Sequence, residues 1–382
     1  MAPSPAIHQA LDGLTVLDLS QGIAGPYCAA QLGELGARVL KVEPPGGDWL
    51  RRAGGRIGSS TAMFESFNRG KQSIVLDLKT PAGAAAARQL ALHSDVVVEN
   101  ARVGAMARLG LGYGQLATER PALVYTSISG FGQQGPRARQ PATDTVIQAY
   151  TGIARHATSV PGLPRLRIAL VDIVSGLYAH QATLAALMQR WRGGAAGRVQ
   201  WVQIDLVHAM AALQAYKIAD TLVNGPSGDR EAFAIAGNYQ ARDGALSISA
   251  ASDAQVLAAL QALGLAGLAD LPDFADAAAR QAHQAALRQR IAEALAPLAL
   301  GDALARLQAA QVPCQPILDY AGFVDDAEAS APGLFQWLRC ADGAQLPAVR
   351  TPGTAGEAPL VRAPLLDEHA APLRAEFQLE YA

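Results

Sequence analysis

The chain has 382 residues, half of them hydrophobic and 17% charged, with a formal net charge of −2. That is too apolar for a disordered protein and long enough for two compact domains. The charge balance leaves no electrostatic footprint for nucleic acid, and the scattered cysteines Cys28, Cys314 and Cys340 suggest neither a disulfide framework nor a zinc site.

The N-terminal MAPSPAIHQALDG has no basic start followed by an apolar run, so no signal peptide is expected. No apolar stretch is expected to cross a bilayer, and a cytoplasmic α/β protein is the resulting expectation. Thr15 to Leu19 reads as a short buried parallel strand. The turn Gln21 to Pro26 then leads into a helix from Tyr27 to Leu35, ended by Gly36. Further strands are expected at Arg38 to Val42, Ser73 to Leu76, Asp95 to Glu99 and Leu123 to Ile128. Thr80-Pro81 opens an Ala-rich helix running to Leu90, with Thr80 as its N-cap. Val174 to Trp191 reads as a long helix, Val199 to Leu206 as a strand and Val207 to Leu222 as another helix.

This alternation predicts an α/β fold with a parallel sheet covered on both faces. Composition divides the chain into a large unit at 1–222 and a smaller one at 223–318, beginning at the polar VNGPSGDR. Within the smaller unit a hairpin is expected across Gly237 to Ser249, followed by mostly helical sequence from Ala254 to Leu307. The Pro-rich segment 319–382 lacks the periodicity to fold alone and is expected to pack back on the first unit.

Ligand contacts in such sheets gather at the carboxyl ends of the strands. Three polar turns fall there: Gln21 to Gly25, Asn100 to Arg102 and Ser129 to Gly132. The first carries only Gly22 and Gly25, so it fails the dinucleotide fingerprint, and Glu43 alone does not rescue it. Lys71, Arg102 and Arg108 are cations near these turns, able to meet a phosphate or simply to be solvated. Asp172 lies between an apolar run and a long helix. Its carboxylate suits either an N-cap or a reacting group. Gly176 costs helix stability unless a ligand or another backbone comes close. His156, His180 and His208 have no metal-ligand spacing, and no serine-hydrolase elbow is present.

Several longer pieces occur in a telling order: Leu11 to Asp48, Asn68 to Gly83, Asp95 to Tyr113, Ser127 to Pro136 and Leu170 to Leu187, with weaker matches near Val312 and His369. On these the sequence resembles the family III CoA-transferases. The resemblance implies Asp172 as the catalytic aspartate. It implies coenzyme A contacts at Ile23 and Ala24, at Asn68, Arg69, Gly70 and Lys71, at Asn100, Ala101 and Arg102, at Arg108, and at Ser129 and Gly130. It also implies a Rossmann-like large domain whose parallel sheet is built from both chain ends, a smaller middle domain and an interlocked homodimer. Acyl-CoA and a carboxylic acid are the implied substrates, with no permanently bound cofactor and no nucleic-acid or membrane partner.

The chain departs from the family pattern at Ala101, where Phe commonly follows the Asn, at Pro44, where formyl-CoA transferases carry an Arg, and at Asp367, which replaces a usual Gly. The related α-methylacyl-CoA racemases carry a His before the aspartate at position 144, and here Thr143 stands in that place. A racemase-type isomerase and a non-catalytic CoA-binding protein are the competing readings. Arg137, Arg139, Arg165 and Arg167 are candidates for holding a second carboxylate of a dicarboxylate.

Overall fold

The computed structural model describes residues 9–156, 166–193, 200–225, 233–331, 334–353 and 360–379. Two compact units emerge, one from residues 1–215 with 331–382, the other from 216–330.

The large unit is organised by six parallel strands. The first crossover is formed by β1 (Thr15–Asp18), α1 (Ala24–Glu34) and β2 (Arg38–Glu43). A two-residue hairpin, β3 (Arg56–Ile57) with β4 (Ser60–Thr61), follows, then α2 (Ala62–Asn68) and β5 (Gln72–Val75). Next are α3 (Pro81–Leu92), β6 (Val96–Glu99), the short α4 (Ala105–Arg108) and α5 (Tyr113–Glu119), and β7 (Val124–Ser129). After α6 (Asp144–Tyr150), α7 (Ile153–His156) and the long α8 (Leu170–Gly193), β8 (Gln200–Asp205) completes the sheet and α9 (Leu206–Leu213) follows it. The strand order is β5-β2-β1-β6-β7-β8. The order reverses direction at β1, so the crevice between β1 and β6 is the topological switch point.

Strands β6 and β7 are buried along their whole length, as expected of central strands of a parallel sheet. Thr80 accepts a hydrogen bond from the Gly83 amide at 3.0 Å and caps α3. Helix α8 starts at Leu170, four residues before the patterned start, so Asp172 lies inside its first turn. By length and composition α8 would also suffice to cross a bilayer. It packs instead against α1, α6, α9, β7 and β8 as a core helix of this unit.

The sheet itself is not built from both chain ends: all six strands precede residue 206. The C-terminal return contributes the hairpin β12 (Phe335–Arg339) with β13 (Gln345–Val349) and α16 (Ala370–Glu376), which packs beside β5. It covers the β5 edge through side-chain and loop contacts, a solution to the exposed-edge problem that needs no extra strand. The Val75 amide donates to Asp367 at 2.6 Å, and the His369 amide to the Ser73 carbonyl at 2.9 Å. Asp367 holds φ at +62°, where glycine is the unstrained residue. Its carboxylate bond to Val75 compensates.

The second unit contains α10 (Ala215–Asn224), the β9 (Gly237–Ala241) and β10 (Gly244–Ile248) hairpin, and helices α11 (Asp253–Ala262), α12 (Ala277–Ala282), α13 (Gln284–Leu295) and α14 (Leu300–Ala309). Strand β11 (Cys314–Pro316) pairs antiparallel with β10, and α15 (Tyr320–Asp325) follows. The first boundary falls at 215/216 rather than 222/223, because the expected single helix breaks at Gln214 and its second half, α10, leaves the large unit. The second falls at 330/331 rather than 318/319, because Asp319 caps α15 through the Gly322 amide and keeps that turn with the small unit.

Candidate active site

A cavity of about 990 Å³ opens within the large unit at the carboxyl ends of β1 and β6. Its walls come from the Gln21–Ala24 turn, Trp49, Asn100–Arg102, Ala142–Thr145 and the Leu166–Ala169 segment with Asp172.

The Gln21–Ala24 turn is held from several sides. The Gln21 amide donates to Asn100 Oδ1 at 3.0 Å, and Asn100 Nδ2 returns a bond to the Gln21 carbonyl at 2.7 Å. The two turns at the switch point are therefore clamped together. Gly22 has φ +78°, and a Cβ there would sit 2.8 Å from the Trp49 indole, so only glycine serves at this corner. Its amide donates to both oxygens of Asp48 at 3.2 Å. Helix α1 has no side-chain cap and no acidic residue in its first turn, so its positive end is left toward the cavity rim at Ile23 and Ala24.

Beneath the turn lies a fully buried charge network. Lys41 pairs with Asp48 at 3.0 Å and stands 3.8 Å from Asp18; Lys71 pairs with Asp18 at 2.7 Å. The two ammonium groups also donate to the backbone of this region, Lys41 to the Ser20 carbonyl at 3.1 Å and Lys71 to the Pro26 carbonyl at 2.8 Å. Burial alone would raise the Asp18 carboxyl, but Lys41 and Lys71 more than offset it and hold it below its ordinary value. Burial pulls Lys71 down to about 8 against the attraction of Asp18, so it stays charged at neutral pH.

Asp172 projects from the first turn of α8 onto the cavity wall. Its carboxylate accepts no hydrogen bond from any described residue. Burial first, and the negative charge of Asp144 second, raise its pKa to about 7. Gly176, one turn further along α8, faces α1: a Cβ there would lie 2.7 Å from the Ala24 carbonyl oxygen and 3.1 Å from the Tyr27 ring. The close backbone that this glycine requires is thus the start of α1, and its absence of a side chain lets the first turns of the two helices share one cavity.

A half-buried acid without donors, a helix N-terminus and a large cleft at the switch point can together accept an acyl group and an anionic carrier. A family model described as CoA-transferase family III matches residues 11–370. The chain belongs to CoA-transferase family III. This family III CoA-transferase is 33% identical over 395 residues to the succinate–glutarate CoA-transferase of Agrobacterium fabrum, covering 99% of this chain and 98% of the relative. It is 34% identical over 377 residues to the acetyl-CoA:oxalate CoA-transferase of Acetobacter aceti, covering 96% and 95%. The crystal structure of a CaiB/BaiF family protein from Brucella suis superposes with a TM-score of 0.84 at 34% identity, covering 97% of this chain and all of that one. The α/β fold is shared with that structure, and CoA thioesters and carboxylic acids are this transferase's substrates.

The expected site residues divide into two groups. Ile23, Ala24, Asn100, Ala101, Arg102 and Asp172 line the cavity together. Asn68, Arg69, Gly70, Lys71, Arg108, Ser129 and Gly130 do not. Asn68 and Lys71 are buried against each other at 2.9 Å, Arg69 pairs with Glu34, and the Gly70 amide donates to the Arg362 carbonyl at 3.1 Å. Of these four, Lys71 reaches the start of α1 through the Pro26 carbonyl, and a charge sequence alone cannot show that it is paired with Asp18 two strands away. Arg108 is exposed on α4, and Gly130 lies against the Ala142 side chain, leaving no room for a Cβ. Arg167 reaches the cavity wall; Arg137 stacks on Tyr150 instead, 4.8 Å from its ring centre, and Arg165 lies outside the described residues. Trp49 was not singled out in the sequence, and Asp144 entered there only as the aspartate that follows the racemases' His. For Asp144 the available signal was an acid following an extended Pro-Ala-Thr turn, an ordinary helix start.

Proposed function

We propose that this enzyme moves coenzyme A between an acyl-CoA and a dicarboxylic acid, with the Asp172 carboxylate acylated in passing. The observation that carries the reading is the Asp172 side chain itself: set on the wall of the switch-point cavity and accepting no hydrogen bond from a described residue. A carboxylate held as a structural cap would spend its oxygens on backbone amides.

In the first step an Asp172 oxygen attacks the thioester carbonyl; the carbon–sulfur bond breaks, CoA leaves as thiolate, and a mixed anhydride remains. The thiolate then attacks the Asp172 carbonyl of the anhydride, giving an aspartyl-CoA thioester and the donor acid as carboxylate. The acceptor carboxylate attacks that thioester, thiolate leaves again, and the new anhydride is opened at the acceptor's carbonyl. Acyl-CoA and the Asp172 carboxylate are regenerated. The α1 amides at Ile23 and Ala24 line the same cavity, and in this reading their helix end stabilises the oxyanions formed along the way.

The dicarboxylate assignment rests on two supports. Relatives covering almost the whole chain are named for succinate, glutarate and oxalate. Arg167 and Arg102 line the same cavity, and neither forms an ion pair with a described acid. We read the working form as a cytoplasmic homodimer of interlocked chains; exposed apolar side chains such as Tyr216, Leu222 and Val223 on α10 are consistent with a covered face.

The direct test is to mix the enzyme with succinyl-CoA, quench, digest and weigh the peptide containing Asp172. An acyl or CoA adduct is expected there. No adduct, with Asp172→Ala fully active, overturns the mechanism. Deuterium uptake at the α-carbon of an acyl-CoA without any acceptor acid would instead support the isomerase reading, which Thr143 on the cavity wall disfavours because it offers no base.

A further inference from the structure

The first turn of α8 ought to be the place that holds the Asp172 anion, since its amides point outward without intrahelical partners. They are already taken. Asp144, 28 residues earlier on the first turn of α6, accepts from the Val171 amide at 2.8 Å and from the Asp172 amide at 3.4 Å through a single oxygen, Oδ2. Its other oxygen accepts from Gln148 Nε2 at 2.6 Å, and the Oε1 of the same Gln148 accepts the Leu166 amide at 3.0 Å. Gln148 is buried, so Asp144 is fixed against the start of α8 by a bond that solvent does not compete for. The result is an acid that caps a helix belonging to another segment, beside an acid on that helix with no donor among the described residues.

We propose that Asp144 is a positioning residue for the transferase reaction: it occupies the α8 amides that would otherwise stabilise the Asp172 anion and places a second negative charge beside it. This rests on the reading of Asp172 as nucleophile. A carboxylate stripped of donors and set near a like charge is more basic, and a more basic oxygen is the better nucleophile toward a thioester. Asp172 titrating at about 7 agrees with the geometry. The charged groups that share the cavity with Asp172 are Asp144 from α6, Arg167 from the segment before α8 and Arg102 from the turn after β6. Helix α1, packed along α8, meets Gly176 with the neutral Tyr27 ring, and the Trp49 turn and α2 bring Trp49 and Met63 to the cavity.

The test uses the donor half-reaction alone. Asp172 adduct formation from succinyl-CoA is timed by quenched mass spectrometry between pH 5 and 9 in wild type, Asp144→Asn and Asp144→Glu. Asn keeps an acceptor for the Val171 amide and removes the charge. The acid limb of the rate is expected to move down by about one pH unit in Asp144→Asn, with the plateau rate at high pH about tenfold lower, and to return toward wild type in Asp144→Glu. If both variants lose stability equally, the limb still separates charge from capping. A limb unmoved in Asp144→Asn overturns the positioning role while leaving the covalent mechanism intact. Absence of any adduct in the wild type removes both.

Discussion

The Ala24 carbonyl oxygen lies 2.7 Å from where a Cβ on residue 176 would stand, so the α1–α8 contact tolerates no side chain at Gly176. This contact brings the open end of α1 and the first turn of α8 onto one cavity. Gly176→Ala is therefore expected to push the helices apart. A stability loss of roughly 1–3 kcal/mol from overpacking is expected, outweighing the gain in helix propensity. Turnover should fall further than the melting temperature alone explains. Thermal melts beside kcat at 25 °C check this, and a variant as stable and active as wild type contradicts it.

Asp172 governs two opposite pH responses. On the proposed mechanism only its ionised form attacks, so kcat/KM is expected to fall as pH drops through about 7. Stability runs the other way. The folded pKa is raised above the unfolded value, so the favourable contribution is complete below the unfolded pKa and is lost as pH rises through about 7. Asp172→Asn should accordingly be inactive yet more stable than wild type at pH 8, by roughly 1–3 kcal/mol once solvent in the cavity is allowed for, with the advantage vanishing by about pH 4. Denaturant melts at the two pH values decide the matter.

Lys71 and Lys41 are both buried and paired with acids, which predicts a role in stability. Lys71→Met leaves Asp18 short of a partner in the buried network, and Lys41→Met does the same for Asp48. Each is expected to cost roughly 3–5 kcal/mol, the usual consequence of orphaning a buried charge. At a temperature where the variant remains folded, the salt dependence of KM for succinyl-CoA should match that of wild type. A flattened salt dependence in Lys71→Met would mean that this ammonium meets the phosphates after all.

Arg167 lines the cavity, and the proposed dicarboxylate reading assigns it the far carboxylate of the acceptor. Arg167→Gln is expected to raise KM for glutarate or succinate at least tenfold, while leaving a monocarboxylate acceptor such as butyrate within about twofold. Equal loss for both acceptors would assign Arg167 to the CoA half of the cavity.

The strand runs, the Thr80 cap and the placing of the Gln21 and Asn100 turns at one cavity could be read directly from the sequence, because burial, capping and turn chemistry act over a few neighbouring residues; the third turn, Ser129 to Gly132, does not line that cavity. Asp172 stood out for the same reason, as a carboxylate at a helix start beside an unexplained glycine. What only the tertiary structure decided is which charges cancel and which remain. Lys71 reads as a cation that either meets a phosphate or is solvated, and only the fold shows Asp18 2.7 Å away across the sheet. Asp144 stands in the sequence only as the aspartate after Thr143, and the structure alone puts its oxygen on the amides of another helix 27 and 28 residues on. Electrostatic pairing depends on distance in space, and a linear pattern records the face on which a side chain lies but not what stands opposite it.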